Sequence, residues 1–248
     1  MVTARTRYDD PDRWPESDGK PMAENATNRI QMTNLIFCLE QALAPRVRFC
    51  VGGNQMMYYD ITDRRKHLSP DVYVALDVAP GIREKWQTWR EGGLFPQVAF
   101  EITSDSTVKE DLGSKRALYA RLGVEEYYVF DPAGELRPAF QCFWRQDGHL
   151  LPVPVSDQRL YSPLLELELR VVDSWLRVID PATGLPIPTP EEERQAHWAA
   201  EQARLVAEQA RQEAESARQE AEERAVRLAA ELRAALARLA QSPDQTEG

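Results

Sequence analysis

The chain has 248 residues, of which 43% are hydrophobic and 28% are charged, and its formal net charge is −10. This length allows one medium-sized domain and an appendage, because domains most often contain roughly 100–150 residues. Residues 1–189 contain 22 Lys and Arg against 27 Asp and Glu. Such a balance argues against broad electrostatic binding of nucleic acid, which depends on Lys and Arg. A bound cation could still hold one phosphodiester locally, because it offsets the charge of its carboxylate ligands.

Cysteine usage and hydropathy indicate a cytoplasmic protein. Cys38, Cys50 and Cys142 are odd in number and show no CxxC spacing, which argues against both a disulfide framework and a cysteine zinc site. The first residues contain no apolar signal segment, and no uncharged apolar run approaches the ~20 residues of a membrane helix. We therefore expect no membrane contact and no cleaved signal.

The first third of the chain predicts an arm, a helix and three strands. Residues 1–27 mix charges, Pro and Gly without periodicity, which predicts a flexible N-terminal arm. The run from Asn28 lacks Pro and Gly and predicts a helix that ends before Pro45. Two β-prone runs around residues 52–54 predict a hairpin, and a third strand is expected after Pro70.

The middle of the chain predicts a βαβ crossover. Residues 82–96 indicate a short helix or an ordered loop, and residues 97–104 indicate a strand that is buried on both faces. Helical spacing over residues 108–122 ends at Gly123, and a further strand follows to Asp131. This strand–helix–strand order favours a parallel pair with a helical crossover. Later runs around Gly148 predict a hairpin, and residues 164–180 close the domain.

Residues 190–241 predict a long helix, and residues 242–248 a disordered tail. Ala, Glu, Arg and Gln dominate, without Gly or Pro until Pro243. Spacings of three and four separate the alanines at 200, 203, 207, 210, 214, 217 and 221, and continue with one stutter through Leu228, Leu232 and Leu239. This seam is typical of a coiled coil, most simply a homodimer. A solvated single helix stays an alternative, because alanine buries little apolar area.

Three residues could together carry chemistry. Asp71 follows Pro70 at a strand start, and Glu101 interrupts an apolar strand, where a carboxylate is costly unless it is paired, hydrogen-bonded or bound to metal. Lys115 lies on the following helix. Two carboxylates on adjacent strands can hold a divalent cation, and a nearby Lys can stabilise the charge that develops on a phosphate.

These residues fall in four linked motifs. They are SPDVYV at 69–74, FEITSDST at 100–107, DxxxKxxxY at 111–119 and GVEEYYVFD at 123–131. Their order resembles the Uma-type restriction endonuclease family of bacteria, which is assigned to the PD-(D/E)XK nuclease superfamily. The resemblance implies an α/β fold with a restriction-endonuclease-like mixed β-sheet flanked by helices over residues 28–189. It also implies a DNA endonuclease that depends on Mg²⁺ or Mn²⁺, with Asp71, Glu101 and the Ile102 carbonyl as metal ligands.

The resemblance has one departure in the motif. The superfamily's usual lysine stands two residues after the acid, where this chain has Thr103, and Lys115 is the expected substitute. Asp111, one helical turn before Lys115, could face the site or merely pair with Lys115. Glu40 on the first helix is a further candidate acid, or an ordinary residue of an amphipathic helix.

A second function stays open alongside the nuclease. The acidic composition and the missing lysine at position 103 also suit a catalytically inactive adaptor or assembly protein that acts through its coiled coil. Fold alone does not decide between them. The seam itself does not reveal whether the coil joins two copies or recruits another protein.

Overall fold

The computed structural model describes residues 14–16 and 25–240. Contacts divide the chain into a unit that ends at Pro190 and a second unit that begins at Glu191. Among the described helices, none combines the length and the apolar character that crossing a membrane requires. The three cysteines are free thiols, and Cys38 and Cys142 are buried.

The first unit contains one long helix, two short ones and many strands. The helices are α1 (Ala26–Leu43), α2 (Val108–Glu110) and α3 (Arg116–Leu122). The strands are β1 (Phe49–Gly52), β2 (Met57–Tyr58), β3 (His67–Leu68), β4 (Val72–Leu76), β5 (Trp86–Gln87), β6 (Val98–Ile102), β7 (Glu126–Phe130), β8 (Phe140–Gln146), β9 (His149–Val153), β10 (Arg159–Ser162), β11 (Leu167–Val172) and β12 (Trp175–Ile179).

A six-stranded mixed sheet forms the centre, in the order β1-β4-β6-β7-β8-β9. Strands β6 and β7 are parallel, whereas the other neighbours are antiparallel. The parallel pair is connected through the helical segment between residues 108 and 122, as predicted. Smaller sheets, β10-β11-β12 and β3-β2-β5, flank it. The α/β class with a mixed sheet flanked by helices is therefore confirmed.

The two faces of the central sheet pack against different elements. Because side chains alternate along a strand, Val72, Phe100 and Tyr128 lie on one face, together with the apolar side of α1 and β11–β12. Tyr73, Ala99 and Tyr127 lie on the other face, against α3. Odd-numbered residues of β4 and β6 therefore point toward the helix that follows β6.

The predicted hairpin around residues 52–54 is wrong. Strand β1 pairs with β4, and β2 joins the small sheet between β3 and β5. The backbone passes so close to the start of β4 that a Cβ at position 53 would lie 2.0 Å from the carbonyl oxygen of Asp71. Gly53 therefore permits a close backbone approach rather than a tight two-strand turn.

The helix predicted after β6 is present, but it is interrupted. Between α2 and α3, residues Asp111–Lys115 form a π-helical turn. The helix ends at Gly123, which adopts a left-handed conformation with φ 94°. Residues 82–96, predicted as a short helix or ordered loop, contain β5 and a 3₁₀ turn at Thr88–Arg90.

The prediction that residues 1–27 form a flexible arm is wrong at Trp14. Its side chain is 1% exposed and packs against Tyr58 and Trp89, with ring centroids 5.0 and 4.8 Å away. The Tyr58 hydroxyl also donates to the Pro15 carbonyl at 2.6 Å. An aromatic side chain of this size gains enough from burial to anchor a segment whose composition is polar. Residues 1–13 and 17–24 of the predicted arm lie outside the described residues.

The predicted long helix is α4 (Pro190–Ala240), and from Glu191 onward it forms the described part of the second unit. From Glu191 to Arg238 its side chains are exposed, apart from a partly covered Glu201. Its exposed apolar residues include Leu205, Leu228 and Leu232. Pairing of this helix into a coiled coil stays a prediction, and the predicted tail at 242–248 lies outside the described residues.

Candidate active site

Strands β4 and β6 bring Asp71 and Glu101 to the same face of the sheet. Their register pairs Val72 with Phe100, so a one-residue extension places Asp71 opposite Glu101. The Asp71 Oδ2 atom accepts a hydrogen bond of 2.7 Å from the Ile102 backbone nitrogen. The two acids that are separated by thirty positions in the sequence are therefore held together by the strand pairing itself.

Glu101 is a buried carboxylate whose two oxygens have different donors. The side chain of Lys115 contacts Oε2 at 3.0 Å, and the hydroxyl of Tyr119 donates to Oε1 at 2.6 Å. The residue is only 2% exposed. Residues 115 and 119 are one helical turn apart, so a single helix supplies both donors to one carboxylate.

Lys115 lies between two carboxylates, those of Glu101 and Asp111. The sequence left open whether Asp111 faces the site or merely pairs with Lys115. Its ammonium group is 2.9 Å from Asp111 Oδ1 and 3.0 Å from Glu101 Oε2. Asp111 therefore both pairs with Lys115 and faces the site. Thr103, at the position of the superfamily's usual lysine, donates from its hydroxyl to Asp111 Oδ2 at 2.8 Å. It thereby orients the acid that holds the substitute lysine.

The electrostatics of this cluster reflect burial and crowded negative charge. Burial, followed by repulsion from Asp71 and Asp111, raises the pKa of Glu101 to about 8, although Lys115 and the Tyr119 hydroxyl act in the opposite direction. Burial alone would lower the pKa of Lys115, but the carboxylates of Glu101 and Asp111 outweigh it and raise that pKa. Burial and the neighbouring Glu101 also raise the pKa of Tyr119, so its hydroxyl stays a donor.

The donor set suits a hard divalent cation. Asp71, Glu101 and the Ile102 carbonyl offer only oxygen, which Mg²⁺ and Mn²⁺ prefer, and an ionised carboxylate has about four acceptor positions. Each Glu101 oxygen accepts one donor, so acceptor capacity is left. Within the described residues, no group of three or more His, Cys, Asp or Glu side chains could hold a metal. Two carboxylates nevertheless match Mg²⁺, which commonly takes one or two together with water and substrate phosphate.

Glu40 is not part of this cluster. It lies exposed on α1 and lines a separate groove of about 520 Å³ with Cys50, Gly52 and Arg83. The Ile102 carbonyl, in contrast, is engaged by α1, because the side-chain amide of Asn28 donates to it at 3.2 Å. The first helix therefore reaches the site through an amide rather than through the expected acid.

Two contributors were not identified from the sequence. Tyr119 stands within the DxxxKxxxY motif, and its spacing of four from Lys115 was the signal that could have revealed it. Asn28 had no such signal, because its contact joins residues 74 positions apart.

Comparison with known proteins places these motifs in a family. Residues 7–174 match the family model Uma2, described as "Putative restriction endonuclease". The chain is also similar to a crystal structure from Anabaena variabilis described as "a putative nuclease belonging to DUF820". The two are 13% identical with a TM-score of 0.46, over 64% of this chain and 90% of that one. No curated protein matches the chain.

Proposed function

Because the chain belongs to the Uma2 family, described as "Putative restriction endonuclease", we propose that it is a divalent-metal-dependent endonuclease that hydrolyses phosphodiester bonds in DNA. The observation that carries this proposal is the shared contact of Lys115 with Glu101 and Asp111, opposite Asp71. A buried carboxylate with a strongly perturbed pKa and a specific charge partner is typical of a catalytic site.

Each residue has a role in the proposed reaction. Asp71, Glu101 and the Ile102 carbonyl would hold Mg²⁺ or Mn²⁺, which polarises a phosphate oxygen and makes bound water more acidic. Lys115, whose side chain is 23% exposed, is accessible enough to meet a phosphate and stabilises the negative charge that develops on it. Asp111 and Thr103 keep the lysine side chain directed at Glu101.

An assay of DNA cleavage tests this function. Full-length protein is incubated with plasmid DNA and Mg²⁺ or Mn²⁺, and Asp71→Asn is compared with Glu125→Gln. Glu125 pairs with Arg145 at the surface and precedes β7, at the opposite end of the sheet from Ile102. We expect cleavage by wild type and Glu125→Gln but not by Asp71→Asn. Equal cleavage by all three would contradict the role of Asp71, whereas no cleavage by any of them would favour the adaptor function.

We also propose that α4 joins two copies of the chain. Its seam of small and leucine side chains allows close approach of a second helix. In heptad terms, Arg204, Arg211 and Arg218 flank the seam on one side, and Glu213 and Glu220 flank it on the other. In a parallel pair, Glu213 of one helix would face Arg218 of its partner, whereas an antiparallel pair would bring like charges together. Two copies would provide one active site for each DNA strand.

Sedimentation equilibrium of the full-length protein tests this association. The double variant Leu228→Lys and Leu232→Lys places charges in the seam, whereas Leu205→Lys alters an exposed leucine on the outer side of the same helix. At tens of micromolar we expect dimers for wild type and Leu205→Lys, and monomers for the double variant. A monomeric wild type would contradict self-association and point to another protein as the partner.

A further inference from the structure

The hydroxyl of Tyr119 contacts Glu101, and the proposed reaction does not use this contact. It donates to Oε1 at 2.6 Å from a side chain that is fully buried. Lys115 holds the other oxygen. The carboxylate is therefore held from both ends by the same helix, and the two donors differ in charge.

We propose that Tyr119 is a positioning residue that fixes the Glu101 carboxylate in the orientation that binds the divalent cation. This inference rests on the proposed metal-dependent function. Tyr119 itself makes no contact with the cation or the substrate in this role. It acts only through Glu101.

The physical need for a second donor comes from the side chain of glutamate. The last torsion of a Glu side chain is broad and roughly two-fold, so the strand alone does not fix the plane of the carboxylate. With a donor at Oε2 alone, the plane of the carboxylate could still rotate and Oε1 would move. A hydroxyl at Oε1 removes this freedom. Because the hydroxyl is neutral, it does so without adding a positive charge that would compete with the cation.

The tyrosine is itself rigid enough to serve as a fixed donor. Its ring packs between the rings of Phe95 and Tyr127, with centroids 6.3 and 5.0 Å away. The α3 helix that carries it follows the π-helical turn at Asp111–Lys115, and such turns are frequent at functional sites. A ligand that is oriented by a packed neighbour is the arrangement that tunes metal affinity in proteins.

The alternative to a positioning role is that the Tyr119 hydroxyl merely provides a hydrogen bond to a buried oxygen. The same sheet contains a second tyrosine–glutamate pair that serves as a matched control. On the opposite face, the Tyr128 hydroxyl donates to Glu126 Oε2, also at 2.6 Å, and both residues are buried. Tyr119→Phe and Tyr128→Phe therefore remove the same chemical contact at equal depth. Only the first contact involves a proposed metal ligand.

The test is Mn²⁺ binding to the full-length protein without DNA, measured by electron paramagnetic resonance. We expect Tyr119→Phe to weaken Mn²⁺ binding about 10- to 100-fold, the range that is typical for groups that orient a metal ligand. Tyr128→Phe should bind Mn²⁺ as wild type does, although its melting temperature should also fall. Saturating Mn²⁺ should restore DNA cleavage by Tyr119→Phe.

The outcomes separate this inference from the proposed function. If wild type binds Mn²⁺ and Glu101→Gln does not, but Tyr119→Phe binds as wild type, the positioning role alone is wrong. If wild type and Glu101→Gln bind alike, or neither binds, the metal site is wrong and both proposals fail. Should Tyr119→Phe not fold, the tyrosines at 119 and 128 can each be replaced by 4-fluorophenylalanine, which fills the space of the hydroxyl but cannot donate a hydrogen bond. The positioning role then requires weaker Mn²⁺ binding at position 119 and unchanged binding at position 128.

Discussion

Two buried glutamates stand on opposite faces of the central sheet, and their surroundings differ. Glu126, the first residue of β7, accepts hydrogen bonds at Oε2 from Tyr128 and Ser162 and at Oε1 from the backbone nitrogen of Leu164. Every one of these donors is neutral. Ser162 and Leu164 belong to the chain around the end of β10, so Glu126 ties the small sheet β10-β11-β12 to the central one.

Glu101 is equally buried, but in its surroundings the carboxylates outnumber the single ammonium group of Lys115. One neutral hydroxyl and one ammonium group contact it, and the ammonium is shared with Asp111. Asp71 lies opposite and repels it. Burial is therefore common to both glutamates, and the charge of the neighbours is what distinguishes the candidate catalytic one. Hydrogen-bonded burial by itself is compatible with a purely structural role.

The largest expected effect comes from neutralising each glutamate in turn. Glu101→Gln should lower DNA cleavage by about 10³-fold, because it removes a charged ligand of a cation whose stabilisation of the transition state is worth several kcal/mol. Glu126→Gln should keep cleavage but lower the free energy of unfolding by about 2 kcal/mol, the contribution of a hydrogen bond to a charged group. Cleavage rates at saturating Mg²⁺ and urea unfolding measure the two effects.

The interpretation would fail if Glu126→Gln, while folded, lost cleavage as severely as Glu101→Gln does. Ser162→Ala provides a milder change at the same place. It removes one donor to Glu126 and leaves the carboxylate, so it should also affect stability and not cleavage.

Local pattern alone singled out Glu101, because it interrupts an apolar strand. Asp71 and Lys115 were assigned through the motifs of the family resemblance, since neither conflicts with its surroundings in the sequence. Glu126 also precedes an apolar run, but it lies at the strand's end, where a polar residue is ordinary. Its neighbours Ser162 and Leu164 are far along the chain, and periodicity carries no information about such pairings.

The fold was predicted where local patterns dominate and missed where distant contacts decide. Strands β6 and β7 and the helix between them follow from apolar runs and the stop at Gly123. The partner of β1 does not, because Gly53 signals either a turn or a close backbone approach, and only the position of Asp71 distinguishes them. The π-helical turn was missed because the apolar residues before it and after it each keep ordinary helical spacing.

A smaller effect is expected when the positively charged side chain of Lys115 beside Glu101 is removed. Lys115→Met leaves Glu101 with the neutral hydroxyl of Tyr119, and the hydrogen-bond donors of Glu126 are likewise neutral. The turnover number should fall about 10²-fold, because the lysine acts on the charge of the transition state. Mn²⁺ affinity should not weaken, since a positive charge next to a metal ligand opposes cation binding. Turnover and Mn²⁺ titration are measured on the same protein. A parallel loss of both would contradict the assigned role.

The smallest expected effect is on stability as a function of pH. The folded-state pKa of Glu101 is about 8, above the ordinary value of 4.5. Between these values the folded protein binds one proton more than the unfolded protein, so stability falls as pH rises. From pH 6 to pH 7, in EDTA, wild type should lose about 1.4 kcal/mol of unfolding free energy relative to Glu101→Gln. Denaturant unfolding at both pH values checks this. If the unfolding free energies of wild type and Glu101→Gln changed equally between pH 6 and pH 7, the pKa of Glu101 would not be raised.

Hydrogen bonds between α1 and β12 determine where the chain can be truncated. The side-chain amide of Gln31, fully buried, donates to the Leu176 carbonyl and accepts from the Leu176 nitrogen, both at 2.9 Å. The family match ends at residue 174, one residue before β12 begins. A fragment with that boundary would leave a buried amide unsatisfied and expose β11 as an unpaired edge open to aggregation. The C-terminal boundary of an expressed domain of this chain should therefore follow β12 rather than the end of the family match.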